Sequence, residues 1–114
     1  MPKHLFVVFT NAVDGLESEF NQWYSDTHLP DLLNVPGVGA AQRFSLSHTQ
    51  MPDTLQPFKY MAIYELETDN IQGVVDELNA RLGSPDLVMS DALAPKVDAY
   101  FYAPITTRRT LAPS

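Results

Sequence analysis

The segment DGLESEFNQWYSDTHLPDLLNVPGV, residues 14–38, decides how the rest of the chain is organised. Phe20, Tyr24 and His28 are four residues apart, so on a helix their side chains lie along one apolar face. Pro30 disfavours the helical conformation of the residue before it, so we expect the helix to end at His28. An inward-facing histidine beside a helix break can border a cavity. The segment therefore predicts a small-molecule site around His28.

The remaining sequence alternates between strand and helix patterns. Strands are predicted at Leu5–Phe9, Gly39–His48, Phe58–Leu66 and Val97–Ala103, and helices at Gly15–His28, Pro30–Asn34, from Thr68 or Asp69 to Gly83, and at Asp86–Leu93. This order predicts an α+β fold with helices on one face of an antiparallel sheet. The first strand is apolar on both sides, so we expect two chains to press their sheets together as a homodimer.

Composition restricts the classes of protein that this chain can be. Its 114 residues suit one domain, 1–114, with a polar C-terminal tail at 104–114. The net charge of −7 repels phosphate backbones and anionic lipid, so neither nucleic acid nor a membrane is an expected partner. The sequence has no cysteine, and the apolar run within residues 1–10 is too short for a signal peptide. We expect a cytoplasmic protein.

His28 is the main candidate for a catalytic residue. An imidazole with a pKa of about 6.5 exchanges protons at neutral pH, which suits a general acid or base. The structural alternative is a buried histidine bonded to a backbone carbonyl at the helix end. Tyr24 lies one turn earlier, where its hydroxyl could hold a substrate oxygen or its ring could simply fill the core. Asp31 could orient the His28 ring, although an acidic residue in the first turn of a helix needs no such role.

Arg43 and Trp23 are candidates for binding a substrate. Arg43 lies in the middle of a predicted strand, where a permanent charge requires a carboxylate or an anionic ligand. An ion pair across the dimer interface, to Glu65 or Asp98, is the preferred explanation, and substrate binding is the other. Trp23 would act as an aromatic wall or as packing.

Four tyrosines form two pairs, and the members of each pair share one face of a strand. The first pair is Tyr60 and Tyr64, and the second is Tyr100 and Tyr102. We expect the two strands to be neighbours, with at least one pair lining a helix-facing cavity and the other serving the dimer. Tyr60, Tyr64 and Tyr100 are therefore predicted to contact the substrate.

Metal and cofactor signals are weak in this sequence. The three histidines are scattered, without the spacing of a metal site, so no metal is expected. No glycine-rich loop follows the first strand, which argues against nucleotide binding. We expect a protein without a cofactor, while a single histidine could still ligate haem, so haem stays open.

The order of elements and the string EFNQWYSDTHLPDLLNVPGVGAAQRF at residues 19–44 resemble the EthD-like branch of the dimeric α+β barrel superfamily. The residues that carry the resemblance are Phe20, Trp23, Tyr24, His28, Pro30, Asp31, Pro36, Gly37, Arg43 and Phe44. The resemblance implies a ferredoxin-like βαββαβ sandwich with a four-stranded antiparallel sheet, a homodimer, and a cavity between helices and sheet. Proteins similar to this one include cofactor-free monooxygenases acting on polyketide quinols, polyketide cyclases, lactone isomerases and haem enzymes.

These observations lead to one functional hypothesis and its rivals. The leading hypothesis is a cofactor-independent enzyme that acts on a small aromatic or polyketide-like substrate by acid/base chemistry, as a cyclase, isomerase, dehydratase or lyase. His28 would be the acid or base, and Tyr24 or Tyr64 would hold an oxygen. One rival is a non-catalytic dimeric protein that binds a ligand or serves a stress response. Another is a cofactor-free or haem-dependent monooxygenase.

Overall fold

The computed structural model describes residues 3–111, which form one four-stranded sheet with helices packed on one face. The strands are β1 His4–Thr10, β2 Val38–Ser45, β3 Tyr60–Leu66 and β4 Asp98–Tyr102. Their order in the sheet is β2-β3-β1-β4, and all three pairings are antiparallel. The predicted α+β, ferredoxin-like architecture is confirmed, because the two crossing connections each contain helix and lie on the same face.

The helical part comprises α1 Glu17–Trp23, a π-helical segment Tyr24–His28, α2 Leu29–Leu33 and, after β3, α3 Ile71–Arg81. Helix α3 begins with a side-chain cap, since Asn70 Oδ1 accepts a hydrogen bond from the Gly73 amide at 3.1 Å. Thr68 and Asp69, the residues expected to cap it, lie just before this position. None of the helices in residues 3–111 has the length and apolar character needed to cross a membrane.

The predicted helix break before Pro30 is wrong. Leu29 has φ −61° and ψ −50°, and its amide donates to the carbonyl of Tyr24, so the helix continues into α2. A proline ring crowds the carbonyl four residues earlier and offers no N–H to it. In the π turn immediately before Pro30, an amide bonds to the carbonyl five residues earlier. This wider turn accommodates the proline ring without ending the helix.

The predicted helix at Asp86–Leu93 is also wrong. Its backbone bonds to other segments, with the Val13 amide donating to the Ala92 carbonyl at 2.8 Å and isolated β-bridges at Ala12 with Leu93 and Leu82 with Leu87. Leu87 and Ala92 are buried against the helix-facing core. Tertiary pairing thus supplies the hydrogen bonds that a helix would have supplied.

The core lies between the sheet and the helices. Strand β3 alternates strictly, so that Tyr60, Ala62, Tyr64 and Leu66 are buried and point toward the helices. Phe20, Tyr24 and Leu32 meet them from α1, the π-helical segment and α2. Successive side chains of a strand point to opposite faces. The alternation of residues along β3 therefore predicts which of them face the helices.

The other face of the sheet carries no helix, and we call it the open face. Phe44, Tyr100 and Tyr102 are 39%, 47% and 51% exposed there. A cavity of about 1050 Å³ lies over this face between β1, β2 and β3 and residues 104–108 of the tail. The open face therefore combines exposed aromatic rings with a cavity whose lining also includes the charged residues Lys3, Glu65 and Arg108.

Candidate functional site

His28 closes the π-helical segment and packs between two aromatic rings. The Trp23 ring stacks on it with centroids 4.6 Å apart, and the Tyr24 ring meets it edge-on at 4.8 Å. Its Nδ1 atom is buried and has no hydrogen-bond partner among the described residues, a condition shared only with His4 at the start of β1. Buried polar atoms are usually satisfied, so an unpaired imidazole nitrogen inside an aromatic cluster requires an explanation.

Burial lowers the pKa of His28 from 6.5 to about 4. Desolvation of the charged ring is the largest cause, Asp31 opposes it by raising the pKa, and Arg43 lowers the pKa further. The imidazole is therefore neutral at neutral pH. A neutral ring can accept a hydrogen bond or a proton through a free nitrogen, but it holds no proton of the imidazolium form to donate.

Two buried tyrosines form the polar centre of the site. The hydroxyl oxygens of Tyr24 and Tyr64 are 3.0 Å apart, and either can donate to the other. Burial is the main cause that raises the pKa of both phenols, so both remain protonated. Two hydroxyl groups carry two hydrogens and one suffices for the bond between them. The second hydrogen is available to an oxygen of a ligand.

Arg43 lies on the helix-facing side of β2, opposite Ala62 of β3. Its guanidinium carbon stands 4.6 Å from the centroid of the Tyr24 ring, and its Nη1 donates to Ser25 Oγ at 2.7 Å. The predicted ion pair with Glu65 or Asp98 is wrong, since Glu65 faces the opposite side of the sheet and pairs with Lys3 at 2.9 Å. The rule of alternation separates residue 43 from these carboxylates.

Asp31 does not contact His28 through a hydrogen bond. Its Oδ2 accepts instead from the Val88 amide at 3.3 Å, while the Trp23 indole N–H donates to the Val88 carbonyl at 3.0 Å. Two side chains that flank His28 in sequence thus hold the same residue of the 83–97 loop. Sequence reasoning missed Val88 because it assigned this loop to a helix.

The predicted tyrosines separate into two groups. The Tyr60 hydroxyl donates to the Glu17 carboxylate and accepts from the Asn21 amide at 3.3 Å, on the helix-facing side. Tyr100 lies on the open face, where it packs beside Phe9 with ring centroids 6.4 Å apart. Strand β1 stands between β3 and β4, so the expectation that the two tyrosine pairs are on neighbouring strands is wrong.

Three polar residues of the site were missed by the sequence analysis. Glu17, Asn21 and Ser25 contact Tyr60 or Arg43 from the helix side. They are spaced by four residues and therefore lie along one helix face, next to the face of Phe20 and Tyr24. The same periodicity that selected the apolar face could have selected this polar one.

The fold defined by these elements is the ferredoxin-like α+β fold, and solved structures share it. The similar structures include the heme-degrader MhuD from Mycobacterium tuberculosis, with 12% identity, a TM-score of 0.62, and coverage of 93% of this chain and 99% of that one. An EthD-like protein from Ralstonia eutropha has 11% identity and a TM-score of 0.60, covering 95% and 96%. A NIPSNAP-like domain protein from Burkholderia xenovorans has 12% identity and a TM-score of 0.63, covering 97% and 92%.

These similarities confirm the expected resemblance to EthD-like proteins at the level of the fold. No protein-family model matches the chain, and no curated protein matches it significantly. The MhuD structure has two hemes bound in its active site. This finding overturns the expectation that a protein of this architecture works without a cofactor.

The residues around His28 meet one requirement for haem and not another. A neutral imidazole nitrogen without a hydrogen-bond partner is a suitable donor to haem iron. The Trp23 and Tyr24 rings, however, contact the imidazole directly, with centroids 4.6 and 4.8 Å away, where the porphyrin plane would have to approach it. In this arrangement the site does not fit haem. Within residues 3–111, no three His, Asp or Glu side chains are grouped as metal ligands.

Proposed function

We propose that this protein is an enzyme that binds a small aromatic molecule beside His28, in space that opens when the Trp23 ring moves, and transfers a proton on it. The observation that carries the proposal is the unpaired, buried Nδ1 atom of His28 between the rings of Trp23 and Tyr24. Burying a polar atom without a partner costs free energy unless a ligand supplies the missing interaction. Aromatic walls favour a flat, apolar ligand.

Proton abstraction next to a carbonyl group suits these residues. Neutral His28 would accept the proton, and the free hydroxyl hydrogen of the Tyr24–Tyr64 pair would hold the oxygen on which negative charge develops. Cyclases, isomerases, dehydratases and lyases share this step. The pKa of about 4 makes His28 a weak base, so its proton transfer depends on the substrate being acidic or on partial solvation of the ring.

Access to His28 requires movement of the Trp23 ring, which stacks on the imidazole. A cavity of about 310 Å³ is lined by Trp23 but not by His28, and its other lining residues are Glu19, Gln22, Asp26, Thr27 and Ser90. Trp23 therefore contacts both this cavity and the imidazole. Its indole is held by the Val88 carbonyl, so displacement of the 83–97 loop would free the ring and join the cavity to His28.

A non-catalytic ligand-binding protein is the second candidate. The hydrogen bond between the Val88 amide and Asp31 favours this candidate, because His28 then has no bonded carboxylate to orient its ring for proton transfer. The proposal does not depend on whether a cofactor also takes part, and it retains the cytoplasmic location and the single domain expected from the sequence.

Hydrogen–deuterium exchange of 2-tetralone separates these candidates. This aromatic ketone has exchangeable protons next to its carbonyl, and proton NMR in heavy water reports their loss. We expect the protein to accelerate exchange over buffer and His28→Gln to reduce that acceleration by about 100-fold or more. His48→Gln, at an exposed position, is the matched control. Binding without accelerated exchange would favour the non-catalytic candidate, and unchanged exchange in His28→Gln would remove His28 from catalysis.

The proposal includes a homodimer formed through the open face. Tyr100 and Tyr102 expose adjacent rings on β4, and Phe44 exposes a ring on β2 at the opposite edge of the same face. Exposed apolar surface of this kind in soluble proteins commonly marks an interface. Light scattering after size-exclusion chromatography would measure twice the mass of 12.7 kDa. Tyr100→Glu should shift the mass to that of one chain, whereas Met51→Glu, in the exposed 46–59 loop, should not. A monomeric wild type would contradict this part of the proposal.

A further inference from the structure

Arg43 holds a permanent positive charge at the edge of the site without a carboxylate. Helix-side partners of its guanidinium are all neutral: Ser25 Oγ at 2.7 Å, Asn21 Oδ1 at 2.9 Å and the Asn21 carbonyl at 3.4 Å. Each ion pair found in residues 3–111 belongs to another cation, namely Lys3, Lys59 or Arg81. A partly desolvated cation without a counter-ion is costly, and burial accordingly lowers the pKa of Arg43.

The guanidinium also has donors to spare. Arginine carries five N–H groups, and the three hydrogen bonds to Ser25 and Asn21 use two on Nη1 and one on Nη2. The Nε–H and the second Nη2–H meet no acceptor among the described residues. Planar guanidinium groups bind carboxylates through two such donors, in shorter and stronger bonds than those between neutral groups.

The position of Arg43 connects these donors to the proposed site. Its guanidinium stands 4.6 Å from the Tyr24 ring, and that same ring contacts His28 at 4.8 Å. Phe20 and Tyr60 also lie within 6 Å of the charge, at 5.5 and 5.7 Å. Strand β2 is at the edge of the sheet, so the charge can be reached without opening the core.

We infer that the ligand of this site is an aromatic acid whose carboxylate is bound by the Nε–H and Nη2–H groups of Arg43. The inference rests on the proposed function, because it names the chemical class of the ligand that binds beside Tyr24 and His28. The ligand supplies the negative charge that the protein does not. Ser25 and Asn21 fix the guanidinium beside the Tyr24 ring and leave these two donors unused.

Two ligands of nearly equal shape test this inference. Isothermal titration calorimetry at neutral pH would compare 2-naphthoate with 2-naphthamide, which has the same rings and no charge. We expect 2-naphthoate to bind about tenfold or more tightly, the strength of a charge-assisted pair. Arg43→Gln should abolish this preference and leave the affinity for 2-naphthamide within about twofold. Arg43→Lys, which keeps the charge without the planar fork, should retain part of the preference.

The control for charge is Arg81→Gln, because Arg81 pairs with Glu77 on helix α3, away from the site. It should preserve the preference for 2-naphthoate. Circular dichroism of each variant at the same temperature shows whether the fold is intact, and Arg43→Lys provides the test if Arg43→Gln does not fold.

The outcomes separate the inference from the proposed function. Equal affinity of the wild-type protein for both ligands overturns the role of Arg43 while the aromatic site stands. The same holds if Arg43→Gln lowers stability but keeps the preference, since Arg43 would then only fasten β2 to the helix. Failure of both ligands to bind overturns the aromatic site, and the inference with it.

Discussion

The two ends of the π-helical segment carry aromatic rings in one cluster but differ in how their polar atoms are satisfied. Tyr24, at the start, shares a hydrogen bond with Tyr64 and packs under the Arg43 guanidinium. His28, at the end, has a buried Nδ1 atom without a partner. The two rings are in contact at 4.8 Å, so the difference is not one of location.

The hydrogen-bonded Tyr24 hydroxyl stabilises the fold, whereas the unpaired His28 Nδ1 atom is available to a ligand. A buried polar group that finds its partner contributes modestly to stability, whereas an unpaired one is destabilising. Proteins keep few unpaired buried groups, and those concentrate where chemistry or binding occurs. We therefore expect truncation of Tyr24 to cause the larger loss of stability, and changes at His28 to affect mainly pH dependence and ligand chemistry.

Truncating the Tyr24 side chain should have the largest effect. The residue is only 2% exposed and packs against Phe20, Trp23 and His28. Tyr24→Ala should lower the free energy of unfolding by about 3–5 kcal/mol, measured by urea denaturation, because a large cavity replaces the ring. Tyr102→Ala, at a half-exposed position on the open face, should cost less than about 1 kcal/mol if the chain is monomeric in the assay. Equal losses of unfolding free energy in the two variants would show that Tyr24 is not a core residue.

The second-largest effect should be a dependence of stability on pH that is caused by His28. In the unfolded chain its pKa is the ordinary 6.5, and in the folded chain it is about 4. Between these values the unfolded state binds a proton that the folded state does not, so the stabilisation is present above pH 6.5 and is lost as the pH falls toward 4. The loss amounts to roughly 3 kcal/mol.

His28→Gln tests this dependence. Urea denaturation from pH 7.5 to 4 should show a shallower decline in the variant than in the wild type, by roughly the 3 kcal/mol given above. His48→Gln, which removes an exposed histidine, should keep the wild-type decline. Superimposable curves for His28→Gln and the wild type would mean that His28 titrates normally and is not desolvated.

Removing one hydroxyl of the tyrosine pair should have a smaller effect. Tyr64→Phe leaves the buried Tyr24 hydroxyl without its partner and should cost about 1–2 kcal/mol of unfolding free energy. The double variant with Tyr24→Phe should cost less than the sum of the two single variants, since no orphaned hydroxyl remains. Additive losses would show that the two hydroxyls do not interact. The pH dependence assigned to His28 should survive in Tyr64→Phe.

The smallest effect on stability should come from changing Trp23, whose ring stacks on His28. Trp23→Phe keeps an aromatic ring against the imidazole but removes the indole N–H that donates to the Val88 carbonyl. We expect a loss of about 1 kcal/mol, with faster amide hydrogen exchange confined to residues 83–97. Faster exchange throughout the chain would instead indicate a general loss of stability, and no change would show that the indole does not hold this loop.

Alternation and helical spacing predicted the layers of this fold because they depend on local geometry. The period of two in β3 placed Tyr60 and Tyr64 on the same face, and the spacing of four placed Tyr24 and His28 together. Both patterns act through the direction of successive side chains. They therefore hold for any arrangement of the strands in the sheet.

Partners across the fold could not be predicted from such local patterns. Sequence spacing alone did not show that β1 would separate β3 from β4, which places Tyr100 away from the site. Nor does it show that Asp31 bonds to Val88, because the residue pattern of 86–93 predicts a helix. In each case a contact between distant segments decided the outcome.

The sequence by itself determined the order of the four strands, the helices between β1 and β2 and between β3 and β4, and the inward direction of His28, because each follows from periodicity along the chain. The tertiary structure alone decided that the helix passes through Pro30 by a π turn and that Arg43 meets neutral groups and aromatic rings. It also decided that the Nδ1 atom of His28 has no hydrogen-bond partner within residues 3–111. Hydrogen bonding and desolvation depend on which atoms of distant residues converge. That convergence is set by packing of the whole fold, and no single segment encodes it.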